Sequence, residues 1–299
     1  MSAAQTSVTD QPPHPGRISV TIPAKNEMAS IGQVIKAIQE ELPDCEIIVV
    51  DDGSEDKTGA IAVEQGAIVH RHPVSLGNGA AVKAGARRAT GEILVLLDAD
   101  GQHDPADIPR LLARLEAGYD MAVGARNTGS HANFARLMAN GAYNVVASLV
   151  TGRNIPDLTS GFRAVKSHLF RQFLYLLPNG FSYPTTITMA FIRSGYLVDF
   201  VDIKAARRKG KSHIRPLRDG LRFLLIIFKI ATLYSPLKPF VPASLIFLLT
   251  GRGYYGYSLV TVGRFTNMSL LLFSAAVIIF LIGLVSEQIT TLLFSRSAD

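Results

Sequence analysis

Glu92-Ile93-Leu94-Val95-Leu96-Leu97-Asp98-Ala99-Asp100-Gly101-Gln102-His103-Asp104-Pro105 is an apolar run that ends abruptly in spaced carboxylates. Consecutive apolar residues from Ile93 to Leu97 predict a short strand that is buried on both faces, as in a mostly parallel α/β sheet. Ligand sites in such sheets lie at the carboxyl ends of the strands, which is where Asp98 and Asp100 fall. This stretch therefore predicts both the sheet and the edge at which it binds a ligand.

The acids that follow this strand have two interpretations. Because alternate residues of an extended chain point to one side, Asp98, Asp100 and Gln102 are spaced to converge on a common point. Two carboxylates held together require a cation, and an all-oxygen ligand set favours Mg²⁺ or Mn²⁺, whose usual role is to neutralise a diphosphate. Alternatively, the acids cap the next helix, since Asp104-Pro105 is a typical helix start. The stretch alone favours neither interpretation.

Two earlier strands also end in polar motifs. Arg17–Pro23 predicts a first strand, which continues into Ala24-Lys25-Asn26-Glu27. An amphipathic helix from Ser30 to Leu42 follows, and then a strand at Cys45–Val50 that ends in Asp51-Asp52-Gly53-Ser54. A strand, a helix and a strand in such close succession form a βαβ unit with parallel neighbouring strands. We therefore expect both motifs at the same edge of the sheet as Asp98.

The glycine-rich stretch Ser75–Gly85 raises the question of a dinucleotide-binding loop. That fingerprint requires glycine where Val82 stands, and it follows the first strand of the sheet directly. A Rossmann dehydrogenase is therefore disfavoured, and we expect a glycine turn that leads into an alanine-rich helix packed close to the sheet.

Shorter patterns complete the part of the chain that precedes the apolar C-terminal third. Strands are predicted at Ala67–His70, Asp120–Arg126 and Tyr196–Ile203, and helices at Thr58–Gln65 and Pro105–Ala117. Asn154–Val165 is rich in turn residues and predicts a loop. Alternating strands and helices are typical of the α/β class.

The composition bounds the class of protein. The mean hydropathy is +0.24 and most of the apolar excess lies after about residue 220, so the C-terminal part is expected in lipid. A net charge of +6 favours anionic lipid and phosphorylated substrates, and no aromatic-interleaved basic motif points to nucleic acid. The single cysteine, Cys45, excludes an intramolecular disulfide and a zinc cluster. Residues 1–16 are polar, rich in proline and predicted to be a disordered tail.

The C-terminal third predicts a membrane anchor. Basic residues crowd residues 204–222, which marks the cytoplasmic side of a membrane. Residues 215–236 predict interfacial amphipathic helices, and residues 237–299 a transmembrane hairpin with a short tail. Its two helices are Val241–Val260 and Met268–Val285, and Arg252 makes the first of them the more costly to bury.

The strand-end motifs in this order resemble the GT-A fold of family 2 glycosyltransferases, over Ile18–Ile214 and within a domain that spans residues 17–214. With Ser160-Gly161-Phe162-Arg163, the segment Arg207–His213 and the hairpin added, the chain is similar to polyprenyl-phosphate glycosyltransferases of the dolichol-phosphate mannose synthase type. The resemblance implies an inverting enzyme that moves a hexose from a nucleotide-diphosphate sugar, of the GDP-mannose or UDP-glucose type, to dolichyl or undecaprenyl phosphate. It also implies a catalytic domain on the cytoplasmic face of the plasma or inner membrane, or of the endoplasmic reticulum.

The same resemblance implies roles for individual residues. The residues implied to bind the nucleotide sugar are Pro23, Ala24, Glu27, Asp51, Asp52 and Asp98. The implied metal ligands are Asp98, Asp100 and Gln102, and the implied catalytic residues are Asp100, Arg126 and Arg207. The residues implied to contact the acceptor phosphate are Arg136, Asn140, Ser160, Arg163 and Ser212. Arg136 is also one of three phosphate-binding arginines, with Arg126 and Arg207. Asn140 stands where relatives often have serine and His213 where lysine is commoner, which affects the acceptor details.

The implied chemistry requires no strong general base, because a lipid phosphate is already an anion at neutral pH. Catalysis then consists of positioning and of charge stabilisation by the metal and the arginines. An inactive membrane-tethered scaffold that binds nucleotide sugar is the alternative. A processive polysaccharide synthase is set aside because the chain has no tryptophan for its signature motif, and a nucleotidyltransferase because the glycine- and lysine-rich signature is missing. A homo-oligomer or a flippase partner is compatible with the class.

Overall fold

The structure, a computed structural model, describes residues 18–126, 152–180, 183–203 and 235–295, with residues 144, 145, 148, 228 and 232. The strands are β1 Ile18–Ala24, β2 Glu46–Asp51, β3 Ile68–Arg71, β4 Ile93–Leu96, β5 Met121–Arg126, β6 Arg163–Lys166 and β7 Val198–Ile203. The helices are α1 Ile31–Glu41, α2 Thr58–Glu64, α3 Asn78–Arg88, α4 Ile108–Glu116, α5 Ser167–Gln172, α6 Tyr183–Arg193, α7 Leu237–Val262 and α8 Asn267–Ser295. The predicted tail, the basic segment and most of the predicted interfacial helices lie outside the described residues.

The described strands form one seven-stranded sheet in the order β3-β2-β1-β4-β6-β5-β7. All neighbouring pairs are parallel except those of β6, which runs antiparallel to β4 and to β5. The mostly parallel α/β class is confirmed. The loop prediction for Asn154–Val165 was wrong at its end, since β6 begins at Arg163. A four-residue strand with a charged residue at each end is too short to show a period in the sequence.

Both faces of the sheet are covered by helices. Helices α1 and α4 pack on one face against Val20, Ile22 and Val95, whereas α3, α5 and α6 pack on the other against Leu94 and Leu96. All of these strand residues are buried, which is why β4 appears in the sequence as a continuous apolar run. The sheet therefore carries its polar residues at the strand ends, where the candidate site lies.

The alanine-rich helix α3 lies unusually close to β1. A Cβ placed on Gly85 would lie 2.1 Å from Cγ2 of Thr21, so only glycine allows this approach. At the start of α3, Gly77 and Gly79 face the backbone of residues 178–180 at similarly short range. The glycines of this stretch serve close packing, as the sequence predicts, and Gly77 also has a φ of +103°.

Helices α7 and α8 form an antiparallel hairpin. Gly251 of α7 contacts Leu272 and Phe273, while Gly283 of α8 contacts Phe240, so small residues set the spacing at both ends. Among the described helices, one is long and apolar enough to cross a membrane; this candidate span covers Asn267–Leu292, and only 17% of its most apolar window is buried. The helical hairpin is therefore observed, and the predicted membrane crossing of α7 stays a prediction.

Gly85→Ala provides a test of the close α3 packing. Alanine improves helix propensity by about 1 kcal/mol, but the clash with Thr21 should outweigh this gain and lower the free energy of unfolding by about 1–3 kcal/mol. The measurement is thermal unfolding of the full chain in detergent, followed by circular dichroism. Adding Thr21→Ser removes the clashing methyl group and should restore most of the loss. An unchanged loss in the double variant would contradict this account.

Candidate active site at the carboxyl edge of the sheet

Asp98, Asp100 and Gln102 follow β4 at the carboxyl edge of the sheet, and all three are partly exposed. The backbone N–H of Gln102 donates to a carboxylate oxygen of Asp100 at 3.1 Å, which holds this turn together. Asp104 supplies the cap of a short 3₁₀ helix, Pro105–Asp107, that leads into α4, since its side chain accepts from the backbone N–H of Ala106. Capping therefore does not account for Asp98 and Asp100, and the metal interpretation is favoured.

The start of β6 lies against the Asp98 carboxylate. A Cβ placed on Gly161 would lie 2.8 Å from Oδ2 of Asp98 and 3.2 Å from the hydroxyl of Tyr183, so glycine is required here for steric reasons. Tyr183, the first residue of α6, is buried, and its hydroxyl donates to the Gly161 carbonyl at 3.4 Å. Burial, with the negative charge of Asp98 adding to it, raises the pKa of Tyr183, so its hydroxyl stays protonated.

Arg163 and Ser160, on either side of Gly161-Phe162, are fully buried. The Arg163 guanidinium donates to the carbonyls of Ser160 and Pro184 and to the Thr188 hydroxyl, and it lies over the Tyr183 ring. Burial lowers the pKa of Arg163, although Tyr183 and nearby carboxylates oppose the shift. These contacts are those of a structural arginine that holds the start of β6 to the start of α6. The predicted contact of both residues with an acceptor phosphate stays a prediction.

The oxygen atoms at the end of β4 fit a hard divalent ion. Within the residues that the structure describes, no three His, Cys, Asp or Glu side chains form a metal cluster. A metal would therefore rest on Asp98, Asp100 and the amide oxygen of Gln102, a set that leaves coordination positions for water and phosphate, as Mg²⁺ and Mn²⁺ sites usually do. The absent Cβ of Gly161 allows the Asp98 carboxylate to keep its position beside this backbone.

Arg126, at the end of β5, is held by Asp157. Its Nε and Nη2 donate to the two carboxylate oxygens at 2.7 and 3.1 Å, and Nη2 also donates to the Thr159 hydroxyl at 2.6 Å. Burial alone would raise the pKa of Asp157, but the hydrogen bonds and positive charge of Arg126 lower it. The pair places a guanidinium at the same edge as the acids, with 31% of its side chain exposed and in reach of an anion.

His103 is a buried neighbour of these groups. It is 5% exposed and stacks on Phe162 with ring centroids 5.3 Å apart. Burial, reinforced by the charge of Arg126, lowers the pKa of His103 to about 4, so the ring is neutral at physiological pH. The neutral His103 ring therefore adds no charge to the site that contains Arg126 and Asp100.

The loops after β1 and β2 are joined to each other. The backbone N–H of Asn26 donates to the Ser54 hydroxyl at 3.0 Å, and the N–H of Glu55 donates to the Asn26 side chain at 2.9 Å. Asn26 has a φ of +55°, a conformation that asparagine tolerates. Asp51 is buried and accepts from the backbone N–H of Ser54, so it folds its own turn. Pro23 and Ala24 are buried beside these loops, and Glu27 is partly exposed.

Asp52 organises the loop that follows β3. Its two oxygens accept from four donors: the His72 ring, the Ser75 hydroxyl, and the backbone N–H groups of Leu76 and Gly77. Burial opposes ionisation, but these hydrogen bonds lower the pKa of Asp52 to about 2. A carboxylate has about four acceptor positions, so these four donors use the hydrogen-bonding capacity of the Asp52 carboxylate within the protein. Its predicted contact with the nucleoside stays a prediction, and its observed role is to shape the loop beside the site.

The structure brings together the described members of the predicted site, along one edge of the sheet. Arg136, Asn140, Arg207 and Ser212 lie outside the described residues. Tyr183 and Thr159 were missed by the sequence reasoning. Thr159 stands two residues after Asp157, a spacing typical of a side-chain turn, but nothing in the sequence signals the contact of Tyr183 with the distant β4 edge.

Gly161→Ala should weaken divalent metal binding, because the added Cβ displaces the Asp98 carboxylate or the start of β6. We expect Mn²⁺ affinity to fall about tenfold or more, as for other supporting contacts of metal ligands. The measurement is titration of the full chain with Mn²⁺, with free ion quantified by electron paramagnetic resonance. Gly180→Ala is the matched control, since a Cβ there meets no atom within 4 Å. Equal affinities for the two variants would disprove this arrangement.

Comparisons with known proteins agree with this geometry. Residues 19–174 match the Glycosyl transferase family 2 domain, and residues 235–292 match the GtrB C-terminal hairpin. The structure is similar to the crystal structure of glucosyl-3-phosphoglycerate synthase from Mycobacterium tuberculosis in complex with Mn²⁺ and UDP-glucose. The TM-score is 0.56 at 26% identity, over 70% of this chain and 76% of that chain. This likeness confirms the predicted GT-A fold.

Two relatives are similar in sequence. An undecaprenyl-phosphate 4-deoxy-4-formamido-L-arabinose transferase of Proteus mirabilis is 34% identical, over 51% of this chain and 50% of that protein. The chain thus spans about half the length of this relative. A polyprenol monophosphomannose synthase of Mycolicibacterium smegmatis is 31% identical, over 64% of this chain and 78% of that protein. Because the family domain covers more than half of the sequence, the chain belongs to glycosyl transferase family 2 and carries a hairpin of the GtrB type.

Proposed function

We propose that the protein is a membrane-anchored inverting glycosyltransferase that moves a hexose from a nucleotide-diphosphate sugar to a polyprenyl phosphate. The observation that carries this proposal is the pair of carboxylates after β4, which capping does not explain, on a family 2 chain that also has an apolar hairpin. A hairpin of this kind brings a catalytic domain to a lipid-borne substrate. Both curated relatives described above carry a polyprenyl phosphate or a polyprenol in their names, which supports the same acceptor class.

The proposed chemistry is a single displacement at the anomeric carbon. An oxygen of the acceptor phosphate attacks this carbon, the bond from the carbon to the diphosphate oxygen breaks, and the nucleoside diphosphate leaves with the electron pair. The acceptor phosphate is an anion, so no proton has to be removed from it before attack. The result is a lipid-phosphate sugar with inverted configuration.

The described residues would supply positioning and charge. Asp98, Asp100 and Gln102 would hold a divalent ion, Mg²⁺ or Mn²⁺, which neutralises charge on the leaving diphosphate. Arg126, oriented by Asp157, would bind phosphate oxygens beside it. The joined loops after β1 and β2 would form the wall of the nucleoside pocket. Arg207, Arg136 and Ser212 are proposed for the diphosphate and the acceptor phosphate on the resemblance alone.

The proposed orientation has the catalytic domain on the cytoplasmic side. The basic residues between β7 and α7 support this orientation, because arginine and lysine next to a membrane segment are retained on that side. Nucleotide sugars are made in that compartment, so donor and lipid acceptor meet at its membrane surface.

Asp100→Asn should reduce sugar transfer by about two orders of magnitude or more, because it removes a charged metal ligand. The assay follows labelled sugar from a series of nucleotide sugars to a polyprenyl phosphate in membranes containing the full chain. Asp104→Asn is the matched control, since Asp104 caps the neighbouring short helix and should leave transfer nearly unchanged. Chelator should abolish transfer, and Mn²⁺ or Mg²⁺ should restore it. Full activity of Asp100→Asn would refute the proposed site, whereas donor binding without any transfer by the wild type would favour the scaffold alternative.

A further inference from the structure

Helix α6 joins the candidate site to the membrane hairpin. Its first residue, Tyr183, donates to the Gly161 carbonyl beside Asp98, and its last residue, Arg193, forms an ion pair with Glu287 of α8 at 3.5 Å. All residues from 183 to 192 are buried, so the helix is held along its length by the core of the catalytic domain. An α-helix of 11 residues is about 16 Å long. The candidate site and Glu287 of the hairpin thus contact opposite ends of one helix.

Glu287 lies near the end of the candidate span of α8. The segment from Met268 to Val285 contains no charged residue, so Glu287 is the first acid after it, and α7 and α8 together contain no other. An acid at this depth is costly unless it is paired or reaches the membrane surface. The pairing partner comes from the catalytic domain, and the two side chains are only 17% and 27% exposed.

The hairpin contacts place this ion pair at the end of the hairpin where α7 begins. Gly283, one turn before Glu287, packs against Phe240 near the start of α7, and in the proposed transmembrane hairpin this level would be the bilayer surface. Lys238, which precedes Phe240, fits the same surface, because lysine places its ammonium group among the headgroups. With the proposed anchor, Arg193 would therefore meet Glu287 at the membrane surface.

We propose that the Arg193–Glu287 ion pair positions the active site above the membrane surface, so that the acceptor phosphate of an embedded polyprenyl lipid reaches Asp98, beside the first residue of α6. The two residues are positioning residues, since neither lies at the reacting atoms. This inference rests on the proposed function and names the acceptor, rather than the donor, as the substrate whose use depends on the pair.

The test uses charge reversal in the full chain reconstituted in liposomes. Arg193→Glu and Glu287→Arg each bring like charges together and should raise the KM for long-chain polyprenyl phosphate in the bilayer by about three- to fivefold or more, as loss of a partly exposed ion pair implies. The KM for a short, detergent-dispersed prenyl phosphate and the affinity for Mn²⁺ should stay unchanged, because the site itself is intact. The double reversal should restore the KM of the wild type.

Asp199→Asn is the matched control. It removes another ion pair, Arg114–Asp199 at 3.2 Å, which joins α4 to β7 and includes no hairpin residue, so it should leave both KM values unchanged. Glu287→Gln removes the charge with almost no change of shape and keeps the test open if a reversal variant fails to fold. Unchanged KM for the bilayer acceptor in all variants, or equal changes for both acceptors, would overturn the inference. A wild type that transfers no sugar would instead overturn the proposed function.

Discussion

The close approach of β6 to the end of β4 is the constraint on which the site depends. β6 is the antiparallel strand of the described sheet, and Leu96 lies opposite Arg163. This register brings Gly161 against the Asp98 carboxylate with no room for a side chain. The buried Arg163 then ties the start of β6 to the start of α6. The orientation of one carboxylate thus depends on a glycine and a buried cation from one segment of the chain and on a tyrosine from another.

Carboxylates at this edge fall into two groups. Asp51, Asp52 and Asp104 accept from backbone N–H groups, and Asp52 also accepts from the His72 ring and the Ser75 hydroxyl, so these acids fold the loops around the site, while Asp157 orients Arg126. Asp98 and Asp100, after β4, form the second group: Asp100 accepts from the backbone N–H of Gln102, and neither residue supplies the cap after the turn, which comes from Asp104. Family motifs in the sequence place both groups in one site, and only the hydrogen bonds show which acids fold the surrounding loops.

Much of the catalytic domain was predictable from the sequence, because β1, β2 and β4 are buried on both faces and appear as apolar runs. The helices α1 and α3 were predictable from their amphipathic and alanine-rich patterns. β6 was not, since a strand of four residues shows no period, and α6 was not, because its first ten residues are buried and leave no polar face. The contact of Tyr183 with the β4 edge is long-range, and no local pattern encodes it.

The packing of Gly251 against Leu272 and Phe273 has a consequence for how the anchor enters the bilayer. It places Arg252 beside the first turns of α8, and in the proposed transmembrane hairpin its side chain would extend from there to the headgroups. Helix α7 by itself is poorly suited to partition into hydrocarbon, whereas α8 has a mean hydropathy of 2.8 over its most apolar window. In the proposed transmembrane hairpin, the two helices would therefore insert as a preformed pair, with α8 supplying the driving force and α7 entering against it.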